Sequence, residues 1–284
     1  MASRREIKRR IRSIQNTAQI TKAMQMVAAS RMRRAQARQA ASRPYAEYIG
    51  AIVGDIAARP GAETHPLLVQ REIRAVDIVT ITPDRGLAGG LVTNINRETS
   101  RLIQSLRHPV RIVAAGRKGR DFAVRSRLNL VAEFTGFGDY PGMNDVTPVA
   151  REVLDEYQSE RCDAVYLVYA HFVSTLRQEA VSMQLLPVVP PDEKLSGIWN
   201  YEPDNPEEVL SALLPRYVEF TLYQAMLEAK ASEHSARMIA MSNATDNAQE
   251  LITDLTLLAN KARQAEITKE IAEISGAAEA IRTG

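Results

Sequence analysis

Residues 213–262 read LLPRYVEFTLYQAMLEAKASEHSARMIAMSNATDNAQELITDLTLLANKA, and the fold follows from how this stretch repeats. From Leu213 the positions Tyr217, Phe220, Gln224, Leu227, Ala231, His234, Met238, Met241, Thr245, Ala248, Ile252, Leu255, Ala259 and Ala262 succeed one another at alternating steps of four and three. That is the spacing of a heptad seam, along which one helix buries itself against another. Upstream, Asn205 is suited to cap the helix and Pro206 to its first turn, while Glu207 and Glu208 favour the positive end of its dipole. After Pro215 neither proline nor glycine interrupts the pattern before Gly276. About seventy residues rising ~1.5 Å each make a rod of roughly 105 Å. A compact domain cannot cover such a helix, so it must pack on another long helix and part of it must project.

The first segment supplies that partner. Ile7, Ile11, Ile14, Ala18, Thr21, Gln25, Ala28, Met32 and Ala35 repeat the four-three alternation, with Ile20, Met24 and Val27 as a neighbouring stripe. The pattern supports helix to about Ser42 and continues through Tyr48, Ile52 and Ile56 to a stop at Pro60 and Gly61. Pro44 falls inside it and either kinks or breaks the helix.

Charge separates the two helices. Residues 1–43 carry twelve basic side chains against Glu6 alone, a balance of +11, whereas the chain from Asp246 onward carries seven acids and four bases, a balance of −3. The ends are therefore complementary, as an antiparallel pair requires. Much of the basic excess still faces something else: solvent, nucleic acid or an acidic protein surface. With no aromatic residue before Tyr45, a stacking platform for single strands is disfavoured.

At 45% apolar and 25% charged residues, the composition is that of a folded, water-soluble protein. No apolar run approaches a membrane span, so membrane association is expected only through partners. The single cysteine, Cys162, excludes an internal disulfide framework and is expected to be a buried structural thiol.

Between about Leu67 and Pro187 the period changes. Near-continuous apolar runs at Ile73–Ile81, Val110–Ala115, Leu128–Phe134 and Ala164–Phe172 alternate with helical stretches at Leu91–Leu106, Lys118–Ser126 and Val146–Gln158. Strands apolar on both faces, alternating with helices, imply a mostly parallel sheet sandwiched between helical layers. Leu176–Leu186 reads as an antiparallel edge strand. The expected class is therefore α/β: a long antiparallel coiled coil of N- and C-terminal helices with an inserted Rossmann-like, mostly parallel domain. The boundaries expected are 1–60 for the first helix, 61–205 for the α/β domain with its connecting loop, and 206–284 for the last helix.

Two glycine-rich turns in this domain, TPDRGLAGG at 82–90 and GRKG at 116–119, occupy positions where an α/β sheet places ligands. Neither has dinucleotide-fingerprint or P-loop spacing, so both are expected to be tight strand-to-helix turns, with Asp84 and Arg85 pairing across the first. His65, His108, His171 and His234 lie in four different segments, with no pair at metal-ligand spacing. His234, a seam position, is expected to be a packed histidine. No catalytic, cofactor-binding or metal-binding residue is expected.

Three runs carry a resemblance: IKRRIRSIQNTAQITKAMQMVAASRM at 7–32, TPDRGLAGGL at 82–91 and ARMIAMSNATDNAQELITDLTLLANKARQAEITKEIAEI at 236–274. Together they resemble the gamma subunits of F-type ATP synthases, in the expected order and over essentially the whole chain. The resemblance implies a rotor shaft. Its coiled coil would enter a ring of three alpha and three beta subunits, with the α/β domain outside, near the epsilon subunit and the c-ring. Proton-driven rotation would then impose sequential conformational changes and ATP synthesis or hydrolysis on the ring. The resemblance also implies contact with beta subunits through Met24, Arg263, Gln264, Thr268 and Glu270, and with the c-ring at the foot through Tyr201 and Glu202. No nucleic-acid partner is implied, and the membrane is reached only through the c-ring, at the cytoplasmic face of a bacterial cell membrane. Ala88 stands where many relatives have cysteine, and the cysteine-bearing insert of the chloroplast form is missing. A bacterial source is expected because no transit segment is evident. The rival reading is a basic coiled-coil protein that binds nucleic acid or acts as a scaffold.

Overall fold

The computed structural model describes residues 4–190 and 205–283. The chain divides into two compact units, one comprising Met1–Val27 and Met238–Gly284 and the other Ala28–Arg237. Helix α1 (Arg4–Ala57) and helix α5 (Pro206–Thr283) each contribute to both.

In the first unit the two helices meet along the seam read from the sequence. On α1, Ile7 and Thr21 are buried and Ile11, Ile14, Ala18 and Gln25 partly so, while Lys8, Arg9, Arg12 and Lys22 between them are exposed. On α5, Met241, Ala248 and Ala259 are buried, Thr245, Ile252, Leu255 and Ala262 are half-buried, and the intervening charged residues face outward. Thr21 meets Thr245, and Arg4 approaches Glu266 at 3.9 Å. Partners on α5 thus descend in number as those on α1 ascend, so the helices run antiparallel. Of the neighbouring stripe, Ile20 and Val27 are exposed and only Met24 is partly covered.

The second unit is built on a five-stranded sheet. Its strands are β1 (Val76–Ile81), β2 (Val110–Ala115), β3 (Asn129–Phe134), β4 (Ala164–Phe172) and β5 (Gln178–Leu186), in the order β3-β2-β1-β4-β5. All neighbours are parallel except β4 and β5, which are antiparallel. Helices α2 (Leu91–Leu106), α3 (Arg117–Arg125) and α4 (Met143–Gln158) connect β1 to β2, β2 to β3 and β3 to β4. Every residue of β1 is buried because it is central and covered on both faces, which is why it reads as a near-continuous apolar run in which Asp77 and Thr80 are buried as well. One face of the sheet, through Val76, Ile78, Ile112 and Val168, packs on Leu91 and Ile95 of α2 and Ala123 of α3. The other, through Val79, Val113, Val165 and Leu167, packs on Val149 and Val153 of α4, Val53 and Ile56 of α1, and Leu214 to Met226 of α5. Each fully buried aliphatic side chain contributes about 1.5–3 kcal/mol relative to exposure, so both terminal helices are anchored in the core of the sheet.

The structure decides one alternative left open by the sequence and shifts two boundaries. Pro44 neither breaks nor ends α1, which continues to Ala57. After the proline, Tyr45 packs at a tilt against Phe220 of α5, 4.5 Å between ring centroids, and Ile49, Val53 and Ile56 are buried, so packing offsets the missing backbone hydrogen bond. Strand β1 starts at Val76 rather than Ile73, because the amides of Arg74 and Ala75 donate to the Asp163 carboxylate instead of to a neighbouring strand. Helix α4 begins at Met143, three residues before the apolar period, with the Gly142 amide donating to Asp145 at 2.8 Å.

Some of the basic excess on α1 also finds a partner inside its own chain. Arg31 pairs with Asp139 at 3.0 Å, and Arg38 donates to the carbonyl of Tyr140 while lying 4.9 Å from its ring centroid. The β3–α4 loop is thereby strapped to the helix. In the first unit Arg5, Lys8, Arg9, Arg12 and Lys22 remain exposed with no acidic partner among the described residues.

Candidate functional site

Two regions have the position of a functional site: the C-terminal edge of the parallel sheet, where α/β folds hold ligands, and the helical surface carrying the residues singled out in the sequence.

At the sheet edge the chain fills its own ligand position. The backbone amides opening α3 are all engaged: Arg117 N donates to Asp84 Oδ1 at 2.8 Å, Lys118 N to the Pro83 carbonyl at 3.1 Å, and Gly119 N to Thr82 Oγ1 at 2.7 Å. A phosphate at a helix N-terminus needs such amides free, and here a carboxylate has taken its place. Asp84 does fix the turn, through the amides of Arg117 and of Gly136 at 3.0 Å rather than by pairing with Arg85. Gly116 has φ 122°, and a Cβ there would lie 1.9 Å from the Thr82 carbonyl oxygen. The second glycine-rich turn is therefore close packing against Thr82, at Gly116 and again at Gly119.

Helix α5 covers the part of the crevice nearest β1. Arg237 donates to the Gly86 carbonyl at 3.2 Å and pairs with Glu233 at 2.9 Å, while Lys230 reaches Glu233 at 3.1 Å. The space left between Thr82, Phe137, Met226 and Glu233 is ≈ 10 Å³, too small for a nucleotide base. Burial works to raise the pKa of Glu233, but Lys230 and Arg237 outweigh it and hold the value below the usual carboxylate range. His234 is buried as expected of a seam position. Its Nε2 lies 3.7 Å from Asp139 Oδ1 without a hydrogen bond, and burial lowers its pKa against the opposing pull of Glu233 and Asp139.

The opposite edge holds a buried ionic cluster. Arg111 bonds bidentately to Asp77 and reaches Glu156 at 2.8 Å, and Glu156 in turn pairs with Arg161. Each charge there has an opposite partner, which is what a buried pair needs if it is not to destabilise the core. Cys162 lies beside it, fully buried, its thiol pushed up to about 12 mainly by that burial. Among the described residues, no group of three or more His, Cys, Asp or Glu side chains is placed to hold a metal ion, and no helix is long and apolar enough to cross a membrane.

On the helical surface, Arg263, Gln264, Thr268 and Glu270 are all exposed, within two turns of α5 beside the start of α1. Met24 is half-buried and lies elsewhere: with Arg4 near Glu266, it is some twenty residues, about 30 Å, further along the pair. The five residues thus form two patches. Tyr201 and Glu202 lie outside the described residues.

The family profile described as ATP synthase matches residues 3–281. An ATP synthase gamma chain from Roseiflexus castenholzii is 53% identical over 99% of this chain and 99% of its own length. The chain belongs to the ATP synthase gamma-chain family. Gamma chains from Dehalococcoides mccartyi and Moorella thermoacetica are 50% and 48% identical, each over 99% of this chain and the whole of their own length. A central-stalk and c-ring structure of Tetrahymena thermophila mitochondrial ATP synthase matches with TM-score 0.60 and 25% identity, covering 79% of this chain and 99% of that one. The Euglena gracilis mitochondrial ATP synthase, in a structure comprising OSCP, F1 and c-ring, matches with TM-score 0.69 over 99% of this chain and 95% of that one at 20% identity, which bears on the fold. Membership of the gamma-chain family accounts for the pairing of a seam of long helices with a self-filled α/β domain. The contacts missed from sequence, those of Asp139 and Tyr140 with α1, carried one signal in it: a glycine-flanked loop at the ligand-binding edge of the sheet.

Proposed function

We propose that this chain is the central rotor shaft of an F-type ATP synthase, coupling c-ring rotation to sequential conformational changes and ATP synthesis or hydrolysis in the catalytic ring. The observation that carries the reading is 53% identity to an ATP synthase gamma chain over 99% of both chains. One copy serves three alpha and three beta subunits, with epsilon and the c-ring at the foot and the assembly at the cytoplasmic face of a bacterial cell membrane. The physics is a population shift: a shaft whose faces differ contacts three chemically identical beta subunits unequally, so its angle decides which one is open. A uniform surface would couple nothing. The unpaired basic face of α1, with Arg5, Lys8, Arg9, Arg12 and Lys22 exposed, supplies such asymmetry. Arg263, Gln264, Thr268 and Glu270 form one beta-contacting patch and Met24 a second, while Tyr201 and Glu202 contact the c-ring.

Native mass spectrometry of the complex released gently from its host membrane tests this. One copy of the chain with three alpha and three beta subunits is expected; a free chain or a nucleic-acid complex would overturn the reading. Replacing Arg263 and Gln264 together by alanine is expected to slow ATP turnover in the assembled complex, and unchanged turnover would remove both from the contact patch.

A further inference from the structure

A cavity of ≈ 290 Å³ opens at the C-terminal edge of the sheet, where the loops after β1, β2 and β3 converge on α5. Its charged lining comprises Asp84, Arg85, Arg117, Asp139, Lys230 and Glu233. Every carboxylate among them is already satisfied. The two oxygens of Asp84 accept from the amides of Arg117 and Gly136. Asp139 is held by Arg31 at 3.0 Å, and Glu233 lies between Lys230 and Arg237. The guanidinium groups of Arg85 and Arg117, by contrast, have no hydrogen-bond or ion-pair partner among the described residues, although they border the same space. With Arg31 and Arg237 included, five cations surround three carboxylates. The cavity is thus positive, and its two unmatched groups are the planar, multiply donating kind that holds phosphate oxygens best. Gly136 faces open space where a side chain would sit, leaving the backbone of the β3–α4 loop approachable.

We propose that this cavity is a binding site for a small multiply charged anion of phosphate or pyrophosphate size, held between Arg85 and Arg117 over the buried Lys230. The site is separate from the filled helix N-terminus described above: Asp84 occupies the α3 amides, and the anion sits beyond it against side chains. A whole nucleotide does not fit, because the crevice that would take its base is closed by Met226 and Phe137. Since Arg85 follows β1, Arg117 opens α3 and Lys230 belongs to α5, a bound anion bridges two loops of the α/β domain to the long helix.

The test is calorimetric titration of sodium pyrophosphate, and separately of inorganic phosphate, into the purified full chain at low ionic strength. One saturable site per chain is expected, weakening as salt is added and weakened about tenfold or more by Arg85→Ala or by Arg117→Ala. Neither side chain has a partner among the described residues, so circular dichroism and melting of both variants should match the parent. Arg125→Ala, an exposed arginine elsewhere on α3, serves as the control. No saturable binding, parent-like binding by both cavity variants, or an equal loss in the control would each overturn the proposal. None of these outcomes bears on membership of the gamma-chain family or on the rotor reading, which are tested by composition and turnover.

Discussion

The hydroxyls of Thr21 and Thr245 lie 2.7 Å apart, a polar link between seam positions of the two long helices. Each hydroxyl also lies within hydrogen-bonding distance of a carbonyl of its own helix, Ala18 for Thr21 and Met241 for Thr245. Removing one hydroxyl strips the other of its cross-helix partner while leaving it in a half-buried seam. Thr21→Val or Thr245→Val is therefore expected to cost about 1 kcal/mol, and the double variant clearly less than the sum. Urea unfolding of the four proteins closes the cycle; strict additivity would mean the two hydroxyls do not interact.

Two glycines predict opposite outcomes. At Gly116 the backbone is left-handed and a methyl group would collide with the Thr82 carbonyl, so Gly116→Ala is expected to cost several kcal/mol, about 3 or more, and to leave the α/β unit poorly folded. At Gly276, inside exposed helix with open space around it, Gly276→Ala is expected to stabilise the helix by about 0.5–1 kcal/mol. Thermal melts followed at helical wavelengths distinguish the two.

Cys162 is expected to be inert in the native chain. Its thiol is fully buried and its pKa stands at about 12, so little thiolate exists at pH 8. Iodoacetamide should label it at the rate of unfolding and promptly in denaturant. Fast labelling of the folded protein would contradict the packing around Asp77 and Arg111.

Stability should fall as the solution is acidified through the histidine range. His234 and His65 both have pKa values lowered by burial, in the first case against Glu233 and Asp139 and in the second against Glu207. Below the ordinary histidine value the unfolded chain takes up protons that the folded chain refuses. The loss begins there as pH falls and is complete once pH passes below the lowered folded values. Denaturant midpoints measured from about pH 7.5 to about pH 5 should decrease, and less steeply in His234→Gln. A flat profile in the parent would show that these rings titrate alike in both states.

The elements legible from the sequence were those whose burial imposes a local period. Strands β2 and β4 and helix α2 fall where their apolar runs place them, and the seam residues of both terminal helices are the ones covered. What local pattern does not encode came out differently. The proline at 44 is visible in sequence, but the packing of Tyr45 against Phe220 just past it is not. Arg38 and Tyr140 meet across 102 residues, and the glycine-flanked loop that holds Tyr140 marks a special turn without naming its partner. Arg263, Gln264, Thr268 and Glu270, the proposed contact residues, rest on resemblance alone, since outward-facing positions on a helix leave no periodic trace of a partner.

The seam has one more consequence, for the order in which the molecule can be made. Thr21 and Thr245 are separated by 224 residues, so the first helix leaves the ribosome long before the strip that covers it exists. At about 5–20 residues per second the wait is on the order of 10–45 s, longer than a typical α/β domain needs to fold. All five strands are thus made while the amino-terminal segment lacks its covering strip, with Ile7, Ile11 and Ile14 open to water. The arginines and lysines flanking those isoleucines keep this interim helix dispersed until the carboxy-terminal helix arrives. The basic face proposed above as the asymmetric surface of the shaft thus has a second use, in keeping the nascent chain from clumping.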